Sequence, residues 1–155
     1  MNKQLYSFSL SSQLGESQSE IIQDAFTMAG VNRELFPLVK MTAPKQWQQM
    51  PISEWPIGKP LFHSWLLLLG FIPIDRHQFL FADVREDGFI ETSSSLTHEL
   101  WQHERKISSQ PEGINVEDYV CYRSRLPILG GILKPIYQAV FRHRHYRLRK
   151  RYGVI

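Results

Sequence analysis

The sequence predicts an α+β fold in which an antiparallel sheet is covered by one long C-terminal helix. Three observations carry this expectation. Apolar and polar residues alternate with a period of two through much of residues 61–125, the spacing of half-buried strands. Asp87-Gly88 separates two such stretches, a strong hairpin signal, and strands joined by hairpins run antiparallel. After Leu126-Pro127 the period becomes helical, with Leu129, Ile132, Leu133, Ile136, Tyr137, Val140, Phe141 and Leu148 on one wide stripe. A sheet with one apolar face must be covered, and this helix is available to cover it.

In chain order, Tyr6, Phe8 and Leu10 alternate with serines in a first strand that Gly15 ends. Ser17 and Glu20 have capping-box spacing. Ile21, Ile22, Ala25, Phe26 and Ala29 follow at helical intervals, so a helix is expected over about 18–29. A second helical piece over 31–36 stops before Pro37. Prolines 37, 44, 51, 56 and 60 make the next stretch irregular or edge-strand-like. Trp65, Leu67 and Leu69 share a face of the next strand, and His77, Phe79 and Phe81 form another alternating face. Strands are expected at about 75–85 and 89–95, then a long one from Thr97 to Ile107. Gln110-Pro111-Glu112-Gly113 is a turn, and Val116, Asp118, Val120 and Tyr122 line the last strand. The C-terminal helix is expected over about 131–152, with Pro135 in its first turn or at a kink.

The 155 residues amount to one ordinary domain, expected to span 1–155. Hydrophobic residues at 43% and charged residues at 21% exclude a disordered or collagenous chain. One cysteine, Cys121, excludes a disulfide framework or a cysteine-built metal site. The first residues lack a basic segment followed by an apolar one, so no secretory signal is read. The most apolar run, Leu61 to Ile74, is 14 residues long and broken by His63, Ser64, Gly70 and Pro73. It falls short of the roughly 20 residues a membrane-spanning helix needs. A cytoplasmic protein with no transmembrane segment is the expectation.

Three local patterns in residues 70–153 carry a family resemblance: Gly70-Phe71-Ile72-Pro73 ending a strand; Trp101-Gln102-His103 in a long strand; and Asp118-x-Val120-x-Tyr122-Arg123 followed by Leu126-Pro127, Gly130 and Phe141-Arg142-His143-Arg144-His145. The chain resembles the START-like helix-grip superfamily (SRPBCC), in its bacterial polyketide-cyclase/dehydrase-like branch. Relatives commonly show a W-x-H-x-H run; here Arg105 stands at the second histidine, so that residue's role does not carry over. The resemblance implies a curved sheet of about seven strands gripping the C-terminal helix around an apolar cavity, with two short helices after the first strand. Members bind lipids, sterols, polyketides or other hydrophobic molecules, and some are enzymes.

His98-Glu99-Leu100-Trp101-Gln102-His103 superficially resembles a zinc-protease motif. That chemistry needs histidines four apart on a helix; a spacing of five in a strand is expected to put them on opposite faces. No metal site and no cofactor are expected. Trp101, His103, Arg105 and Ile107 do share a strand face and can oppose Asp118, Val120 and Tyr122 across a hairpin. On a concave face these groups would orient the polar head of an otherwise apolar ligand. A carboxylate beside His103 would suit it to acid–base work, giving His103, Asp118 and Tyr122 as catalytic candidates. The alternative is that Asp118 simply pairs with Arg105 to satisfy two buried charges. Tyr137 and Phe141 on the helix, with Trp65, Phe79 and Phe81 on the strands, are candidates for cavity wall or plain core.

Charge is distributed unevenly. Residues 1–120 carry 9 Lys/Arg against 15 Asp/Glu, whereas residues 121–155 carry 9 Lys/Arg and no acid. The block 142–151 would suit phosphates of nucleic acid or an anionic membrane surface. Alternatively it is the solvent face of the helix end, complementing the helix dipole and the acidic body. Without a Gly-rich phosphate loop or an aromatic ladder for bases, a hydrophobic small molecule is the expected partner. Nucleic acid is the lesser alternative, with peripheral contact to an anionic membrane left open.

Overall fold

The computed structural model describes residues 3–154. Strand β1 (Leu5–Leu14) leads into two short helices, α1 (Gln18–Ala25) and α2 (Met28–Leu35). The Ser17 hydroxyl accepts from the Glu20 N–H to start α1, as its spacing predicts. The helix expected over 18–29 nevertheless breaks at Phe26. Thr27 adopts extended backbone and its hydroxyl accepts from the Gly30 N–H at 2.9 Å, capping a new helix. The proline-rich stretch holds β2 (Val39–Met41), a helical turn α3 (Lys45–Gln48) and a 3₁₀ turn at Ile52–Glu54.

Then follow β3 (His63–Leu68), β4 (Ile72–Gln78), β5 (Phe81–Arg85), β6 (Gly88–Ser95), β7 (His98–Gln110), β8 (Gly113–Ser124) and α4 (Pro127–Tyr152). All pairings between these strands are antiparallel, in the order β1-β8-β7-β6-β4-β3-β2, with β5 also on β6. Because β4 and β5 both pair with β6, they act as one bent strand interrupted at Phe79-Leu80. The sheet therefore has seven strand positions, the curled form a helix-grip fold requires. At the β5–β6 turn a Cβ on Gly88 would lie 2.1 Å from the Arg105 carbonyl oxygen, so only glycine allows β6 to pair there with β7.

Helix α4 starts earlier than its periodicity suggests, with Pro127 in the first turn and Pro135 inside the helix. It packs on β1, β8 and α2, while β2, β3 and β4 make no comparable contact with it. The close approach is made at Gly130-Gly131: a Cβ on Gly130 would meet the Tyr6 ring at 2.6 Å, and the Tyr122 hydroxyl donates to the Gly130 carbonyl at 2.6 Å. One end of the helix is thus pinned to β1 and β8, and the far half of the curved sheet stands away from it.

Candidate ligand-binding site

The space between that half of the sheet, α2 and the middle of α4 is a cavity of about 540 Å³. Most of its wall is apolar, supplied by Leu35 on α2, Met41 on β2, Leu66 on β3, Phe79, Phe81 and Phe89 around the bend, and Val140 and Phe141 on α4. Leu68, Ile74 and Ile136 both line it and are 39%, 47% and 51% exposed, so they rim its mouth.

Of the residues singled out in the sequence, Phe79, Phe81, Trp101, His103, Tyr137 and Phe141 line this cavity. Trp65 does not. It lies on the outer face, 42% exposed, with the Arg76 guanidinium over its ring. On β3 the inward positions are Ser64 and Leu66, one residue out of phase with Trp65. Tyr122 is buried between Tyr6, Trp101 and Tyr137, its hydroxyl committed to Gly130. It therefore orients no histidine. Arg105 and Asp118, opposite each other in register, are buried behind the lining.

They form the centre of a charged network. Arg105 donates to both Asp118 oxygens at 2.8 Å and, through Nη1 and Nη2, to both Glu34 oxygens at 2.9 and 2.8 Å. Asp118 pairs with Arg105, the alternative raised for these two residues from the sequence, and Glu34 on α2 completes the network. Asp118 also accepts from His103 Nε2 at 2.7 Å and His145 Nε2 at 2.8 Å. Burial alone would raise the Asp118 carboxyl, but Arg105 and His103 hold it well below the usual carboxylate range. Burial likewise opposes the charge on Arg105, and its two carboxylates raise it well above its ordinary value. With His103 Nε2 donating to an ionised carboxylate, its Nδ1 lies 3.9 Å from Glu91 Oε1.

Several polar groups of the site are absent from the sequence reading. Glu91 is fully buried; burial pushes its carboxyl up, but His77 and then His103 bring it below the ordinary value. His77 Nε2 lies 2.5 Å from Glu91 Oε2, which also accepts from the Ser93 hydroxyl at 2.6 Å. The alternation groups His77 with Phe79 and Phe81, and all three line the cavity; nothing in the sequence paired His77 with Glu91.

His98 is a correction. A register irregularity between His98 and Leu100 inserts one residue into β7, so His98 and His103 face the same side rather than opposite ones. Both line the cavity. The Thr97 hydroxyl donates to Asp75 Oδ2 at 2.7 Å and receives His98 Nδ1 at 2.7 Å. That assigns the proton to Nδ1, and in the neutral ring Nε2 accepts from the Tyr137 hydroxyl at 3.1 Å. Burial drives the Tyr137 phenol far above its ordinary range, so it remains a donor. Among the described residues, no group of three or more His, Cys, Asp or Glu side chains is arranged to hold a metal ion, and no helix is long and apolar enough to cross a membrane.

The family model described as "Domain of unknown function (DUF8410)" matches residues 12–152. The chain belongs to this family. No curated protein matches the DUF8410 sequence, but solved structures do. Protein CV1439 from Chromobacterium violaceum is 8% identical with a TM-score of 0.66, over 97% of this chain and 99% of that one. A START superfamily protein from Mycobacterium smegmatis is 11% identical with a TM-score of 0.57, over 97% of each chain. The di-domain ARO/CYC StfQ from the steffimycin biosynthetic pathway is 12% identical with a TM-score of 0.55, over 97% of this chain and 52% of that one. The DUF8410 chain therefore has the START-like SRPBCC fold that its motifs suggested.

Part of the basic block of the DUF8410 chain is engaged by the fold. Arg144 and His145 are buried; Arg147 donates to the Arg33 carbonyl, Arg149 to Ser12, and Arg151 to Asp24. Arg142, Lys150 and Arg151 remain exposed.

Proposed function

We propose that this protein binds a hydrophobic or amphipathic small molecule, of lipid or polyketide type, inside the cavity between sheet and C-terminal helix. The observation that carries the reading is a cavity of about 540 Å³ whose wall is mostly apolar but whose floor collects Glu91, His77, His98, His103 and Arg144. Ligand sites are commonly of this size and kind, an apolar wall with a few convergent polar groups. The apolar tail would contact Phe79, Phe81, Trp101, Tyr137 and Phe141, and the polar end would meet the imidazoles and Glu91.

The test is titration with the neutral fluorophore N-phenyl-1-naphthylamine. Saturable enhancement is expected in the native protein. It is expected to disappear in Val140→Trp, because Val140 is part of the cavity wall and an indole there would fill the space. Equal enhancement in the two proteins would place binding elsewhere and refute the reading.

One observation favours a second reading, cyclase- or dehydratase-type acid–base catalysis. His103 lines the cavity and its Nε2 is held by Asp118 at 2.7 Å, the arrangement by which a carboxylate orients a histidine base. Under this reading His103→Gln removes turnover while the protein still enhances the fluorophore. Turnover at the native rate in that variant would exclude His103 as the base.

A further inference from the structure

We propose that the ligand carries a carboxylate and that Arg144 receives it at the inner end of the cavity. This rests on the reading of the cavity as a ligand site and names the chemical class of what fills it.

Two arginines are buried here, and their hydrogen bonding differs. Arg105 is saturated, with Nε and both Nη atoms engaged by Asp118 and Glu34. Arg144 is 6% exposed and lines the cavity, yet only its Nε is engaged, by Glu34 Oε1 at 3.2 Å. That oxygen already accepts from Arg105 at 2.8 Å. Both Nη atoms of Arg144, with four N–H groups between them, have no hydrogen-bond partner among the described residues. Its Cζ lies 4.9 Å from the centre of the Phe141 ring, and the His103 ring is 5.2 Å from the same ring. The open side of a guanidinium and an imidazole therefore flank one aromatic surface.

Ser64 Oγ is the one buried side-chain polar atom without a partner among the described residues, so the Arg144 Nη groups are accessible rather than sealed off, and a planar pair of Nη donors fits a carboxylate in bidentate fashion. A dianion such as a phosphate monoester is disfavoured, because Glu34 and Glu91 are both close to the same floor. A neutral head would leave the guanidinium without a second counter-charge. Arg105 pairs with Glu34 and Asp118, and Arg144 shares Glu34 through Nε alone, which leaves its Nη edge as the place where a ligand acid can pair. Ile136 at the mouth and Arg144 are eight residues apart on one helix, roughly 12 Å along its axis, a span that a medium-length acyl chain covers. The geometry orients the acid inward and the tail toward Leu68, Ile74 and Ile136.

A matched pair tests this: dodecanoate and 1-dodecanol displacing N-phenyl-1-naphthylamine from the native protein at pH 8, where the acid is ionised. The expected result is at least a roughly tenfold preference for dodecanoate, the size of a charge-assisted hydrogen-bond contribution. Arg144→Met should abolish the preference by weakening dodecanoate binding. If that variant does not fold, Arg144→Lys, which keeps a cation beside Glu34 but loses the planar fork, should show a reduced preference. Equal affinities in the native protein, or an undiminished preference in the variants, would overturn the proposal while leaving the cavity a site for neutral ligands. Failure of both compounds and of the fluorophore to bind would overturn the ligand-site reading and this inference together.

Discussion

Asp118 accepts four hydrogen bonds, two from Arg105 and one each from His103 and His145. Asp118→Asn keeps the shape but turns one acceptor into a donor facing donors, and leaves the Arg105 charge without one of its two partners. Breaking a buried ion pair by removing one member costs about 3–5 kcal/mol, so urea unfolding should show a loss of that order. A loss below about 1 kcal/mol would mean the network adds little beyond its packing. Only part of this network was legible in the sequence. Arg105 and Asp118 could be paired because a hairpin of two alternating strands puts them opposite each other. Glu34, 71 residues before Arg105, arrives from α2, and no local spacing announces such a contact.

At the scale of elements, parity decides what faces the cavity. The inserted residue near Glu99 brings His98 to the inner face beside His103, whereas the phase of β3 sends Trp65 outward. Strand existence and order follow from alternation and turn residues. The face a side chain takes also depends on bulges, which leave no clear mark on the sequence. The C-terminal helix shows what was readable: its apolar stripe and its proline starts are local, and Gly130 stands where the helix meets Tyr6. Gly130→Ala would drive a methyl group into that ring, which is stacked on Tyr122 at 5.6 Å between centroids. Overpacking of this kind costs about 1–3 kcal/mol, to be read as a lowered midpoint in thermal or urea unfolding. An unchanged midpoint would show that helix and sheet can separate there freely.

For the whole molecule, the charge asymmetry that suggested a phosphate-rich partner is in part an internal matter. The basic helix end is drawn onto α1, α2 and β1, and its two most buried members, Arg144 and His145, belong to the network beneath the cavity. This construction has a pH signature. Burial opposes ionisation of Glu34, Glu91 and Asp118, yet Arg105 and the histidines leave all three carboxyls lowered; Asp75 is lowered likewise, by His98 and Thr97. Groups with depressed folded-state pKa values stabilise fully above the unfolded values, near 4, and that stability is lost as pH falls through the acid range below them. At the other extreme burial pushes the Tyr122 and Tyr152 phenols up to about 12. Their contribution is present below the unfolded value of about 10 and is lost as pH rises from there toward 12. Chemical denaturation across pH should therefore give a plateau with losses at both ends; stability that increases on acidification below pH 4 would contradict the network.

The central claim is that a ligand sits inside the cavity. Intermolecular NOEs between ¹³C-labelled protein and unlabelled dodecanoate locate it most directly. The account predicts contacts from the acyl chain to Leu35, Leu66, Val140 and the rings of Phe79 and Phe141, with the carboxylate end nearest Phe141 and Arg144. Contacts confined to exposed residues such as Leu69, Phe71 and Ile128, with none from the interior, would contradict it.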